Sequence, residues 1–387
     1  MVYISGGLYM GTTIDYEGIW KTTLRESIFL NIKMMDFYLY RRNAKVYQIL
    51  IKFPEMGDVL FCPIWQRNVD DKLIFLMNWR DGQSIKFILR QKDNKTLFGL
   101  IYQDNRMISI ECTFCDASLP CLQDNSLILR SPWRYELLCK YRNYQSRTSD
   151  LDNISFSYHL INHPLSLRLV NYYHLYDYTS LNDFETMKNI MRWVNQKLSH
   201  DGNQDFIGIR EANSILGTHP GTASCRGLAI VLCEALLAVG IKCRFVACLP
   251  EESLFDECHV VCVAFSKYLG KWLLLDPTNN LFIMDANGIP LDLMEFRSAL
   301  INNDYFEINN NTNWNGARIT KNQYCDYMVK NLICFDCAEN YYPGCDQYSK
   351  QRITLIPLNY LNETLPNRKI TRNAFAFWEY NVQFSKT

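Results

Sequence analysis

Three side chains in the middle of the sequence could together perform covalent chemistry: the thiol of Cys225, the imidazole of His259 and the carboxylate of Asp276. A cysteine attacks well only as a thiolate, and a helix N-terminus lowers its pKa because unpaired N–H groups and the macrodipole favour negative charge. An imidazole of near-neutral pKa can take the thiol proton and later hand it to a leaving amine. A carboxylate beside the imidazole fixes its tautomer. That is the nucleophile, base and orienter logic of acyl transfer through a thioester. Each residue also has a plain structural reading. Cys225 is one of fifteen cysteines, most of which must be packed thiols. A single strand histidine is ordinarily hydrogen-bonded, and Asp276 before Pro277 is a common turn former. Only the ordered combination on successive elements points to catalysis.

The elements that must position the three are legible. In SCRGLAIVLCEALLAVGIKCRFVACLP, Ser224 is a good N-cap, Leu228, Leu232, Ala235, Leu236 and Val239 fall on one helical face, and Gly240 supplies a stop. The helix is therefore predicted to begin at Cys225. IKCRFVACL, CHVVCVAFS and KWLLLDP read as strands, with Leu269 and Gly270 in the turn between the last two, so Asp276 ends the strand beside that of His259. Upstream, DFETMKNIMRWVNQKL carries Phe184, Met187, Ile190, Met191, Val194 and Leu198 at helical spacing, and a loop-like stretch with a short helical piece around 211–216 follows. His200 and His219 flank the nucleophile segment, as do the carboxylates Asp205 and Glu234. All four are read as solvated residues rather than as a second catalytic set.

These stretches resemble a known family. ASCRGLAIVLCEALLAVGIKCRFVACLP is similar to the nucleophile helix and following strand of the transglutaminase-like superfamily, and ECHVVCVAFSKYLGKWLLLDPTNN to its histidine strand and its Trp-to-Asp-Pro-Thr strand, with Trp272 and Asp276 in place. MRWVNQKLSHDG resembles the preceding helix of many bacterial members, so the likeness covers about residues 183–290. NGIPLDLMEFRSALINN and YCDYMVKNLICF are similar to a C-terminal extension in a bacterial subset. The resemblance implies an α+β fold: a transglutaminase-like (papain-like) core with an antiparallel sheet and nucleophile helix, and Cys225, His259 and Asp276 as its triad. It implies a cysteine peptidase or amidase, or a transglutaminase, acting on a peptide or protein. Catalytically silent members that only bind form the other class of reading. The animal enzymes carry a tryptophan ahead of the nucleophile, whereas no tryptophan lies between Trp193 and Cys225, so hydrolysis is expected over transfer to an amine. No acidic calcium loop is visible.

The rest of the chain sets bounds. Its 387 residues suggest two or three domains, and 48% apolar with 21% charged residues is ordinary globular usage. The expected division is 1–150 as a β-rich accessory domain, 151–300 as the catalytic core and 301–387 as a C-terminal extension packing on that core. Between 45 and 130, VYQILIKF, KLIFLMNW, SIKFILR, TLFGLIY and MISIECTF alternate with turn sequences, as in an antiparallel meander. Forty basic residues balance forty acidic ones, which argues against nucleic acid or a membrane surface as partner. With no signal-like or membrane-spanning stretch, a cytoplasmic location is expected. The scattered cysteines fit reduced thiols. Cys112/Cys115 with Cys121, and Cys334/Cys337 with Cys325 and Cys345, lack a partner histidine for zinc, so neither metal nor cofactor is expected and a zinc-stabilised structural protein ranks last.

Overall fold

Alternating apolar and polar residues in the first third of the chain build one large sheet in the computed structural model. The structure describes residues 16–24, 32–43, 46–69, 71–80, 83–103, 106–115, 117–120, 122, 126–145, 154–159, 161–202, 210–218, 221–251, 257–348, 351–361 and 368–380. Cys121, Asp205 and His219 lie outside them. The chain divides into two units, Met1–Trp133 and Arg134–Thr387.

Among the described residues of the first unit, ten strands form a single sheet. The five runs recognised in the sequence are joined by two strands ahead of them, Gly18–Thr23 and Met34–Asn43. Gly18–Thr23 pairs with both Met34–Asn43 and the late strand Arg106–Cys115, a long-range closure that local patterning does not reveal. The sheet curls, so that the Gln66 amide near one edge reaches the backbone of Ile49 and Tyr47 in a distant strand. Phe37, Phe75 and Phe87 pack inside, the last two stacked at 4.7 Å.

The second unit is α+β. Helix α1 (Asp183–Lys197), capped by Asn182, buries Phe184, Met187, Ile190, Met191, Trp193 and Val194. Strand β1 (Ser199–His200) pairs in parallel with β2 (Thr222–Ala223). Helix α2 (Cys225–Ala238) starts where the Ser224 hydroxyl accepts the Gly227 N–H and stops before Gly240, whose φ of +87° suits glycine. Sequence periodicity predicts one apolar face for α2, yet every residue from Gly227 to Ala238 is buried. The reason is cover on all sides: β3 (Cys243–Leu249) and β4 (His259–Ser266) on one, and α1 with helices Pro164–Tyr173 and Ala212–Leu216 on the other. Each fully buried Leu, Ile or Val of α2 contributes about 1.5–3 kcal/mol.

β5 (Lys271–Leu275) pairs with β4, and helix α3 (Lys321–Met328) opens with a capping box between Thr320 and Gln323. The C-terminal segment then adds β6 (Cys334–Ala338), β7 (Arg352–Leu355) and β8 (Arg368–Thr371), giving, among the described residues, a six-stranded sheet in the order β5-β4-β3-β6-β7-β8. Arg244 of β3 is fully buried, its guanidinium held among the rings of Phe156, Trp272, Phe377 and Trp378. Among the described residues no helix is long and apolar enough to cross a membrane. The described cysteines are free thiols, and no group of three or more metal-ligating side chains comes together among the described residues.

Candidate active site

Cys225 is the first residue of α2 and is half-buried. Its main-chain N–H falls in the first turn, where the helical ladder offers no acceptor. The adjacent Arg226 anchors this helix end: it reaches Asp346 at 2.8 Å, and Arg210 and Arg352 meet the same carboxylate at 3.1 and 3.7 Å. These guanidinium groups hold Asp346 below the usual carboxylate range despite its burial.

His259 opens β4 opposite Cys248 of β3 and is only 2% exposed. Asp276 directly follows β5 and is closed into a tight turn by paired main-chain bonds with Leu281, at 2.8 and 2.9 Å. The adjacent strands bring His259 Nε2 to 2.8 Å from Asp276 Oδ2. A carboxylate can only accept, so Nε2–H donates and Nδ1 is the nitrogen left for Cys225. Asp276 is otherwise saturated: Oδ1 accepts the N–H groups of Thr278 and Asn279 at 3.0 and 3.3 Å, and Oδ2 accepts the Asn279 side-chain amide at 2.9 Å.

The electrostatics follow from these contacts. Burial pushes the Cys225 thiol up, but hydrogen bonds from His200 and His259, the His259 charge and the Val260 N–H outweigh it and bring the thiol down to about 6. Burial pulls His259 down, and the charge and hydrogen bond of Asp276, reinforced by Cys225, override it and raise the imidazole to about 10. Asp276 is held below its ordinary value, chiefly by His259 against the cost of burial. At neutral pH the arrangement therefore favours a thiolate facing an imidazolium.

A cleft of about 310 Å³ opens at His259, walled by His200, Glu257, Asn279, Trp314, Gln323 and Tyr327 among others. Two expectations need correction here. His200 is not a loop residue: β1 carries it, paired opposite Ala223 of β2, to the cleft wall. Glu234 is buried on the far side of α2, where it accepts the Ala212 and Gly344 N–H groups at 2.9 and 2.8 Å while burial raises it to about 8. The cleft residues that sequence reasoning missed come mostly from the C-terminal segment. Tyr327 of α3 sets its ring edge-on to His259 at 5.3 Å, and Trp314 supplies an indole 43% exposed. Of these only Asn279 had a signal, standing just beyond the Asp-Pro-Thr turn.

The fold and geometry define a class: an α+β core with a thiol at a helix N-terminus, an imidazole on a strand and a carboxylate at the end of its neighbour. Residues 176–277 match the model of the transglutaminase-like superfamily, and the chain carries a domain of that superfamily. Solved structures similar to it include a TGase, with 15% identity over 47% of this chain and 43% of its own, at a TM-score of 0.23. A cysteine protease candidate from Cytophaga hutchinsonii aligns with 12% identity over 65% of this chain and 80% of its own, at a TM-score of 0.25. The transglutaminase of red sea bream aligns with 12% identity over 67% of this chain and 46% of its own, at a TM-score of 0.23. The alignments thus span less than half the length of the two transglutaminases. None of the curated proteins matches the sequence.

Proposed function

We propose that this protein is a thiol acyl-transfer enzyme that hydrolyses peptide or side-chain amide bonds, with Cys225 as nucleophile, His259 as acid and base, and Asp276 as orienter. The observation that carries the reading is the 2.8 Å bond from His259 Nε2 to Asp276 behind a thiol held at about 6. The Cys225 sulfur attacks the carbonyl carbon and the C=O electron pair moves to oxygen, where the Cys225 N–H receives it. As the carbonyl reforms, the C–N bond breaks and the leaving amine takes the His259 proton. Water, deprotonated by His259, then attacks the thioester and frees the thiolate.

The substrate in this reading is a peptide or protein, with neither nucleic acid nor membrane as partner, and the enzyme works in the cytoplasm. Water as acceptor is supported by the open cleft, whose wall includes the polar side chains of His200, Asn279 and Gln323. One observation favours an amine instead: Trp314 brings an indole to the cleft wall, where an apolar surface could exclude water. Incubation with a peptide library, with and without excess primary amine and with products read by mass, separates the two. Hydrolysis products that persist with amine support the peptidase reading, and amine-linked products replace it with transamidation. No Cys225-dependent product at all would leave a binding module.

A further inference from the structure

A second histidine that the triad does not employ, His200, lines the same cleft as His259. His200 sits on a two-residue strand that is unusually well fixed. Ser199 and Asp201 donate their N–H groups to Gly221 and Ala223 at 2.9 Å each. The Asn315 side chain accepts the His200 N–H at 2.7 Å and donates to the His200 carbonyl at 2.8 Å. The ring itself is oriented by Trp314, whose indole N–H donates to His200 Nδ1 at 3.3 Å. The turn bearing Trp314 is held in place: Asn313 bonds Asn195 of α1 at 2.7 Å, and Asn195 also reaches the carbonyl of Pro277, next to Asp276. One polar network thus fixes both histidine supports against the same helix.

An indole nitrogen donates and cannot accept, so Nδ1 must offer its lone pair and the proton of the neutral ring must be on Nε2. With Nδ1 accepting from Trp314, the neutral ring is left with Nε2–H as a donor. A hydrogen bond from His200 is among the causes that lower the Cys225 thiol.

We propose that His200 is an oxyanion donor of this site and that Trp314 is its positioning residue, an inference that rests on the acyl-transfer reading. As the sulfur–carbon bond forms, the carbonyl electron pair moves onto oxygen, and the sulfur loses the negative charge that held the Nε2–H. The N–H transfers its hydrogen bond to the oxyanion forming beside it, next to the Cys225 N–H. The proton stays on His200 throughout, and the leaving group takes its proton, where it needs one, from His259.

The test uses the full chain and two probes. Burst release from p-nitrophenyl acetate requires an oxyanion, whereas alkylation by iodoacetamide at pH 8.5, where Cys225 is already ionised, does not. The readout is the ratio of the burst to the alkylation of Cys225 read by peptide mapping, with circular dichroism excluding unfolded variants, since an unfolded chain would lose the burst and still alkylate. His200→Ala and His200→Phe, the latter keeping the ring volume, should each slow the burst about a hundredfold while alkylation stays within about threefold. His200→Gln, which retains an N–H donor, should recover part of the burst, and Trp314→Phe should slow it less than His200→Ala. A burst in His200→Ala within about threefold of wild type, or a fall equal to that of alkylation, overturns the proposal alone. A wild-type burst no larger than that of Cys225→Ala overturns the acyl-transfer reading, and the proposal with it.

Discussion

Replacing Asp276 by asparagine should disarm the thiol without touching it. The carboxylate accepts from four donors, two on each oxygen, with His259 Nε2 at 2.8 Å. An asparagine has one acceptor oxygen. If that oxygen stays with the Thr278 and Asn279 N–H groups, its amide confronts Nε2 and drives the proton to Nδ1, where the ring can no longer accept from Cys225. The charge that raises His259 to about 10 is also lost, and burial then keeps the ring neutral. At pH 7 a thiol at about 6 is about 90% ionised, and one returned to its ordinary value of 9.0 is about 1% ionised. Alkylation of Cys225 by iodoacetamide, followed by peptide mapping, should therefore be roughly a hundredfold slower in Asp276→Asn at pH 7 and approach the wild-type rate near pH 10. Turnover should fall by about 10⁴, since tautomer and charge are both wrong. Circular dichroism checks that the variant is folded. A folded Asp276→Asn protein that alkylates within about threefold of wild type at pH 7 would refute the coupling from carboxylate through imidazole to thiol.

Other outcomes follow from the same contacts. In the wild type, Cys225 alkylation should rise with pH through about 6 and stay flat to about pH 9, since the thiolate is present above its lowered pKa and lost as pH falls through it; a midpoint above 8 in the mapped rate would contradict this. Asp346→Asn leaves three arginines short of a carboxylate, and because they are partly solvated the loss should be about 2–3 kcal/mol, below the 3–5 kcal/mol of a fully buried pair, in urea unfolding. Glu234→Gln can keep only one of two buried N–H bonds and should lose about 1–3 kcal/mol in the same assay. Phe87→Ala in the N-terminal sheet should cost about 3–5 kcal/mol in the same assay.

Local signals made the heart of the fold readable. Ser224 and Gly240 bracket α2, and short turns join strands that are neighbours in both sequence and sheet, which is how a carboxylate at the end of β5 could be placed beside the histidine of β4. What could not be read depends on distant pairing. β6 enters the sheet against β3 across more than eighty residues, and nothing in CFDCA announces its partner. Trp314 is likewise far from Cys225 in sequence, so the stretch ahead of the nucleophile was empty of tryptophan while the cleft was not. His200 was misread because two residues carry too little periodicity to declare a strand. Glu234 was misread because one charge in an apolar helix shows neither its burial nor the two backbone donors that satisfy it.

In the proposed mechanism everything passes through an acyl group on Cys225. Wild-type protein and Cys225→Ala, quenched in acid within the first turnover with p-nitrophenyl acetate and mapped by peptide mass, test it most directly. One acetyl group per chain is expected, on Cys225, absent from Cys225→Ala and formed much more slowly in His259→Ala. An unmodified Cys225, or acetyl spread over other cysteines to the same extent in both proteins, would contradict it.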